Sequence, residues 1–307
     1  MSQDTRDTSL DIAKGFAEIL VIFSHLNFAW LAPKTENVLM LILVSLHNTT
    51  FFFISGFLFR YSFEKYSLDQ LVKKKLYSVF RLFILWGLIL GCVHFLLLKG
   101  ELRYHFFESF NSVWFLGELS AGYFLIVLFK KLIHSDTIIS VIWISLFVVG
   151  TFISTAVGKV FLFSFIMWIG FQIRNVTNKY FGIYAAVWAA AIIVLQMSGR
   201  FWVFEVNAQP GYKLLLLELL EIYSSAILIK LVKTIRLNDF LGNFLRYVGK
   251  TSIRYYVLHF IIIYMFLSFD KSSPIMSILC FILCLIFPYV IDKCSEFKYG
   301  KWINSLF

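Results

Sequence analysis

Residues Val79–Leu98 read VFRLFILWGLILGCVHFLLL, an apolar run in which only Arg81 and His94 are polar. A helix that crosses the hydrocarbon core of a bilayer needs about 20 mostly apolar residues, so this run predicts a transmembrane helix. The whole chain is similar in character: 60% of its 307 residues are hydrophobic and 15% are charged. Because a soluble domain carries about 25% charged residues, the sequence predicts an integral membrane protein.

Further apolar runs predict an all-α, polytopic helical bundle of about ten transmembrane helices, forming a single domain over residues 1–307. No cleavable signal peptide is evident, because the first run carries charged residues and lacks a small-residue cleavage site. Two aromatic-rich stretches, 99–112 and 199–211, are predicted to be loops at the outer face. The predicted spans are 10–32, 37–60, 79–98, 113–133, 137–157, 160–175, 181–198, 212–233, 252–269 and 274–293.

The distribution of basic residues predicts the orientation of the bundle. With a cytoplasmic N-terminus and ten helices, all but seven of the 28 Lys and Arg residues lie on the inner side or at inner helix ends. Cytoplasmic loops carry such an excess, which predicts an N-in/C-in topology. The formal charge of +10 therefore indicates membrane topology and lipid contact and does not indicate nucleic-acid binding. The seven outer residues are Lys34, Lys99, Arg103, Lys159, Arg200, Lys213 and Lys271.

The first predicted helix carries a line of polar residues: Asp11, Lys14, Glu18 and His25. At 100° per residue these side chains fall within about 60° of one another, on one face of the helix. Polar groups at bilayer depth are costly and usually face the bundle interior or an aqueous cavity. Two interpretations fit this pattern equally well: a functional line, or a structural Lys14–Glu18 ion pair beside a hydrogen-bonded packing histidine.

The motifs along the chain resemble those of acyltransferase family 3, a family of membrane proteins. Lys14 and His25 are separated by ten residues, within a stretch that begins LDIAKG at Leu10, as the family's basic residue and histidine are. The stretch FFFISGF at 51–57 is similar to the family's F-F-x-x-S-G-F. The remaining matches are Trp114-Phe115-Leu116, similar to W-F-L, and Gly249-Lys250-Thr251-Ser252 followed by Tyr255 and His259, similar to G-x-x-S-x-x-x-Y-x-x-H.

The resemblance implies an O-acyltransferase of the bacterial inner (plasma) membrane. Such an enzyme moves an acyl group, most often acetyl, from cytoplasmic acetyl-CoA or another acyl-CoA to a hydroxyl of a cell-surface or exported glycan. The acyl-CoA is a substrate, and neither a bound cofactor nor a metal site is expected. The partners implied are the acyl-CoA, the glycan acceptor and membrane lipid. The alternative that the residues leave open is a polytopic transporter or flippase, although inverted repeats and paired broken helices are not evident.

The resemblance also implies roles for individual residues. His25 is the implied general base, because a histidine near neutrality can take the proton of an attacking hydroxyl. Glu18 is the second implied catalytic residue, which would orient Lys14 or hold its charge. The implied donor-binding residues are Lys14, Arg60 and Ser55, and those implied to line the substrate cavity are Tyr255, His259 and Trp114.

Alternative interpretations apply to several of these residues. Lysine binds a phosphate as a point charge and cannot grip it as arginine does, which bears on Lys14. Ser55 also fits helix packing, and Arg60 also fits anchoring of a helix end to lipid. His94, His105 and His134 lie near predicted helix ends or in loops and are predicted to have no functional role.

Overall fold

The computed structural model describes residues 7–30, 42–43, 45–98, 101–153, 156–173, 181–197, 211–235, 237–268, 274–296 and 301–307. This part of the chain is almost entirely helical and contains no β-strand, which confirms the all-α prediction. The N-in/C-in topology and the count of ten spans stay predictions. The predicted loop 199–211 and most of the first third of the predicted span 37–60 lie outside the described residues.

Twelve α-helices and one short 3₁₀-helix make up the described chain. The helices are α1 Thr8–Trp30, α2 Asn48–Lys65, α3 Leu68–Leu97, α4 Leu102–Ser112, α5 Trp114–Leu132, α6 Asp136–Gly150, α7 Ala156–Gln172, α8 Phe181–Met197, α9 Tyr212–Thr234, α10 Asp239–Lys250, α11 Ser252–Leu267 and α12 Pro274–Glu296, followed by the 3₁₀-helix Lys301–Leu306.

Two helices of the described chain, α3 and residues 275–296 of α12, are long and apolar enough to cross a bilayer. A third span results if α4 and α5, which meet at an angle of 56°, are taken as one broken helix. Four shorter helices, α6, α7, α8 and α11, are also apolar. A helix shorter than about 17 residues crosses only a thinned bilayer or with its ends adjusted.

Two predicted connections are helical instead. The stretch 99–112 was expected to be a loop, but α4 occupies Leu102–Ser112. The stretch between the spans 212–233 and 252–269 contains α10, whose first turn is capped by Asn238: its Oδ1 accepts a hydrogen bond from Leu241 N at 2.8 Å. The helix α10 is amphipathic, and α4 is short with mixed polar and apolar residues, so a search for long apolar runs misses both.

The chain forms two compact units, the first built from residues 1–21, 34–60 and 140–252. In this unit α2 and α7 approach so closely that glycine is needed on both sides. A Cβ at Gly56 would meet the backbone of Met167, and a Cβ at Gly170 would meet the backbone of Phe53. Phe52 and Phe163 stack beside this contact, with ring centroids 4.5 Å apart.

The second unit is built from residues 22–33, 61–139 and 253–307. Here α3 packs against both α4 and α5. Gly87 and Gly91 of α3 leave room for the rings of Phe110 and Phe106 of α4. Arg254 of α11 forms an ion pair with Asp292 of α12, and donates a hydrogen bond to Asn304 at 2.7 Å.

Candidate functional site

The first half of α1, which belongs to the first unit, carries three charged residues of the predicted polar line. Asp11 and Glu18 are each 1% exposed, and the Lys14 side chain is 15% exposed. Lys14 Nζ lies 3.5 Å from Asp11 Oδ1. Glu18 Oε1 is buried and has no hydrogen-bond partner among the described residues. Asp11 is therefore within ion-pair distance of Lys14, where the sequence suggested Glu18.

Two of the motif glycines bring α1 and α10 into backbone contact. A Cβ at Gly15 would meet the carbonyl oxygen of Leu245, and a Cβ at Gly249 would meet the carbonyl oxygen of Asp11. Backbone atoms cannot move aside as side chains do, so only glycine fits at either position. The glycines of two motifs that are far apart in sequence thus form one contact between helices. This contact lies at the backbone of Asp11 and at the turn of α1 that follows it.

Asp7 lies just before the start of α1 and forms an ion pair with a residue at the end of α9. Asp7 Oδ2 is 3.1 Å from Lys233 Nζ, and Asp7 Oδ1 accepts a hydrogen bond from Ser9 N at 3.0 Å. Partial burial alone would raise the pKa of Asp7, but the Ser9 hydrogen bonds and the Lys233 charge outweigh it and lower that pKa.

The second half of α1 carries His25, which the structure brings against His259 of α11 in the second unit. The two imidazole centroids are 5.3 Å apart and their planes are inclined by 31°. The ring of Phe260 also contacts the His25 ring edge to face, with centroids 5.1 Å apart. His25 is half-buried and His259 is fully buried. Two residues predicted to share one cavity are therefore neighbours.

The hydrogen bonds of His259 define which of its nitrogens is free. His259 Nδ1 lies 3.1 Å from the carbonyl oxygen of Tyr255, and a carbonyl can only accept, so Nδ1 carries the proton. Nε2 is then the lone-pair nitrogen, and it has no hydrogen-bond partner among the described residues. A buried acceptor left without a partner costs about 1–3 kcal/mol, which marks this edge of His259 as a place for a polar group of a ligand or of water.

Tyr256, rather than Tyr255, is the tyrosine that counting along the last motif selects, because three residues separate it from Ser252. Its ring lies 6.0 Å from that of His259 and 5.3 Å from that of Phe115. Its hydroxyl donates a hydrogen bond to the carbonyl oxygen of Ser112 at 2.9 Å. Tyr255 is buried on the same turn and contributes the carbonyl that His259 uses.

Trp114 follows the bend between α4 and α5 and is half-buried. Its ring contacts that of Phe115 at 6.4 Å, edge to face. The next residue of the W-F-L motif thus provides the connection to α11, because Phe115 is the ring that packs on Tyr256.

His94 and His105, predicted to have no functional role, form a buried pair between α3 and α4. Their Nδ1 atoms are 2.6 Å apart, a hydrogen bond in which one imidazole donates and the other accepts. The sequence did not indicate this pair, because His94 lies near the end of a predicted helix and His105 in a predicted loop.

The predicted donor-side residues of α2 lie in the first unit, at its contact with α7. Arg60 Nη1 donates hydrogen bonds to the carbonyl oxygens of Phe171 at 3.2 Å and Gln172 at 3.4 Å, the last residues of α7. A cation at this end of a helix is favourable, because the last carbonyls lack helical partners. Ser55 is half-buried beside Gly56. Both positions fit packing of the two helices.

Within the described ranges, no group of three or more His, Cys, Asp or Glu side chains is arranged to hold a metal ion.

Comparison with known proteins identifies the family. A family model described as an acyltransferase domain matches residues 7–293. No curated protein and no solved structure matches the chain significantly. The matched region includes α1 with its polar line, the α2 motif, the α4–α5 bend and the paired histidine of α11. Because it covers nearly the whole chain, the protein belongs to acyltransferase family 3, a family of membrane proteins.

Proposed function

We propose that this protein is a membrane O-acyltransferase that moves an acyl group, most simply acetyl, from cytoplasmic acyl-CoA to a hydroxyl of a cell-surface or exported glycan. The proposal locates the enzyme in a bacterial plasma membrane. The observation that carries it is the imidazole pair of His25 and His259, with centroids 5.3 Å apart and an unpartnered Nε2 on His259. Membrane acyl transfer requires a base beside the attacking hydroxyl, and these side chains are suited to that role.

The proposed reaction is a direct transfer with His25 as general base. The imidazole of His25 takes the proton of the acceptor hydroxyl while that oxygen attacks the thioester carbonyl carbon. The carbon–sulfur bond then breaks, and the thiolate of CoA receives the proton from the histidinium. The products are a glycan ester and free CoA, so protons and electrons balance without a metal or redox partner. His259 Nε2 is proposed to accept a second hydroxyl proton of the acceptor as a hydrogen bond, which orients the sugar.

On the donor side, we propose that Lys14 binds a phosphate of acyl-CoA. Its ammonium group is partly exposed and 3.5 Å from a buried carboxylate, Asp11, that fixes its position. Charge-assisted bonds to phosphate are among the stronger polar contacts in proteins. Arg60 already donates to two carbonyls of α7, which favours an anchoring role for it. Glu18 and Ser55 are proposed to shape the donor path rather than to react.

The test compares His25→Ala and His25→Gln with wild type, measuring the acyl content of the surface glycan and the amount of folded protein in the same membranes. A general base contributes about 10²–10⁴ in rate, so both variants should lose detectable acylation while the protein level holds. The exposed His134→Gln serves as control and should acylate normally.

Two results would refute the proposal. Near-normal acylation by His25→Gln would mean that hydrogen bonding, and not basicity, is what residue 25 provides. Loss of activity that merely follows loss of folded protein would make His25 a packing residue. If acylation were intact in both variants while movement of a glycan precursor across the membrane failed, the transporter alternative would be the better account.

A further inference from the structure

Ser112 lies at the bend between α4 and α5 and holds two tyrosines of α11 at once. Its carbonyl oxygen accepts from the Tyr256 hydroxyl at 2.9 Å, and its own hydroxyl is 2.6 Å from the Tyr264 hydroxyl. The two tyrosines are eight residues apart, about 12 Å along the helix axis. All three residues belong to the second unit. Neither tyrosine has a part in the proposed chemistry.

His259 lies between the two tyrosines in sequence, about one turn after Tyr256. Its ring contacts that of Tyr256 at 6.0 Å, and the adjoining Phe260 contacts both Tyr256 at 5.9 Å and Tyr264 at 6.2 Å. The two bonds to Ser112 therefore bracket the turn of α11 that presents His259 and Phe260 to His25. A helix fixed at two points on either side of a turn cannot rotate that turn without breaking one of the bonds.

The His94–His105 pair contacts Tyr264, the later of the two tyrosines in sequence. The His94 ring packs edge to face on the Tyr264 ring, with centroids 4.6 Å apart, and His94 is itself hydrogen-bonded to His105. Tyr264 is thereby held by its hydroxyl on one side and by its ring on the other. Gly87 and Gly91 bring α4 close enough to α3 for this contact to form.

We propose that Tyr256 and Tyr264 are positioning residues, which hold the His259 imidazole against His25 by anchoring α11 to Ser112. The inference rests on the proposed function, because it concerns the geometry of the proposed base. Neither tyrosine is required to touch the substrate. Each acts by fixing the rotation of α11, so its removal should slow the chemical step and leave binding of the acyl donor unchanged.

The experiment uses phenylalanine variants of the full chain in membranes, since phenylalanine keeps the ring and removes only the hydroxyl. Tyr256→Phe and Tyr264→Phe should each lower kcat about tenfold, the order expected for one lost hydrogen bond, with the donor KM unchanged. The pH dependence of kcat should also change in midpoint, because the surroundings of the base have moved. Tyr77→Phe, whose ring is exposed on α3, is the matched control and should match wild type in every measurement.

A double-mutant cycle separates the two arms of Ser112. Ser112→Ala removes the hydroxyl that Tyr264 uses and keeps the carbonyl that Tyr256 uses. Ser112→Ala should therefore reproduce Tyr264→Phe and add nothing to it, whereas Ser112→Ala and Tyr256→Phe should combine multiplicatively. A purely structural role would instead lower the amount of folded protein while kcat per folded molecule stayed constant.

The outcomes distinguish the positioning proposal from the proposed function on which it rests. If His25→Gln is inactive but both tyrosine variants keep wild-type kcat and pH dependence, the positioning role is overturned and the general base stands. If His25→Gln acylates normally, the general base fails, and the positioning role fails with it. If the cycle shows the same coupling of Ser112 to both tyrosines, the assignment of the two separate hydrogen bonds is wrong.

Discussion

The charge of Lys14 is the basis of the proposed donor site. We predict that Lys14→Ala raises the KM for acyl-CoA by about tenfold to a hundredfold, the effect of losing one charge-assisted bond to phosphate. Lys14→Arg should keep most of the affinity because the charge remains. The measurement is the donor KM, or direct binding of acyl-CoA to membranes that contain the variant.

Because Lys14 contacts Asp11, the test of the Lys14 phosphate role requires a second variant. Asp11 is 1% exposed, so Lys14→Ala removes a positive charge from beside a buried carboxylate and can lower the amount of folded protein. Lys14→Ala combined with Asp11→Asn removes both charges and should restore the protein level. If the double variant bound acyl-CoA as wild type does, Lys14 would be a structural partner of Asp11 and the phosphate role would be wrong.

Asp7 provides a prediction about pH. Its pKa is lowered in the folded protein, since the Ser9 hydrogen bonds and Lys233 outweigh partial burial. A carboxylate with a lowered pKa contributes stability that is present above its unfolded value near 3.8 and is lost as the pH falls through the folded value. We expect Asp7→Asn to lower the melting temperature of detergent-solubilised protein at pH 6, with the difference from wild type shrinking as the pH falls below 3.8. A difference that persisted there would contradict the assignment.

For individual residues, the sequence identified polar side chains that interrupt an apolar segment. It did not identify the partners that these and other residues contact in the folded chain. The polar line of α1 was visible because charged residues interrupt an apolar run. The partner of Lys14 was not, since helical spacing allows both i, i+3 and i, i+4, and the structure selects Asp11. The His94–His105 bond crosses a helix end and a predicted loop, and the hydrogen bonds of Ser112 to α11 join residues far apart in the chain. No local pattern predicts such pairs.

At the scale of elements, the contact between α1 and α10 depends on two glycines. Gly15→Ala or Gly249→Ala would drive a methyl group into a backbone carbonyl, and we predict that each lowers the free energy of unfolding by about 1–3 kcal/mol. Gly182→Ala on α8 is the matched control, because a Cβ there has no atom within 4 Å. The control should be neutral or slightly stabilising, since alanine favours helix. The readout is the fraction of folded protein after graded heating in detergent.

Should Gly249→Ala prove as stable as Gly182→Ala, the close approach of α1 and α10 would be wrong. The proposed position of the Asp11–Lys14 pair would then lose its support, because the backbone of Asp11 lies directly against Gly249.

Helix bounds were predictable where an apolar run has clear ends. The span predicted at 212–233 became α9 at Tyr212–Thr234, and that predicted at 113–133 became α5 at Trp114–Leu132. The amphipathic helix α10 and the short, mixed helix α4 were missed, because a length rule for apolar runs detects neither kind. The start of α3 at Leu68 was missed for a related reason: its first turns carry Lys73, Lys74 and Lys75, which reads as a loop.

For the molecule as a whole, the basic residues of α3 bear on its orientation in the membrane. Lys73 and Lys74 are exposed on a π-helical turn, Val72–Tyr77, and Lys74 lies over the ring of Tyr66 at 4.2 Å. A cation stacked on tyrosine near the end of an apolar helix matches the composition of a membrane interface. The topology prediction assigns this interface to the cytoplasm.

The topology is testable by reporters that are active on only one side of the membrane. The excess of basic residues predicts that a reporter fused to the C-terminus and one inserted at Ser67, the exposed residue between α2 and α3, both report a cytoplasmic location. A reporter inserted within 199–211 should report the opposite side and serves as the control for translocation. An external result at Ser67 would invert the second and third spans. It would also move the lysines of α3 to the face where the glycan acceptor is expected, and the proposed division into an inner donor side and an outer acceptor side would have to be abandoned.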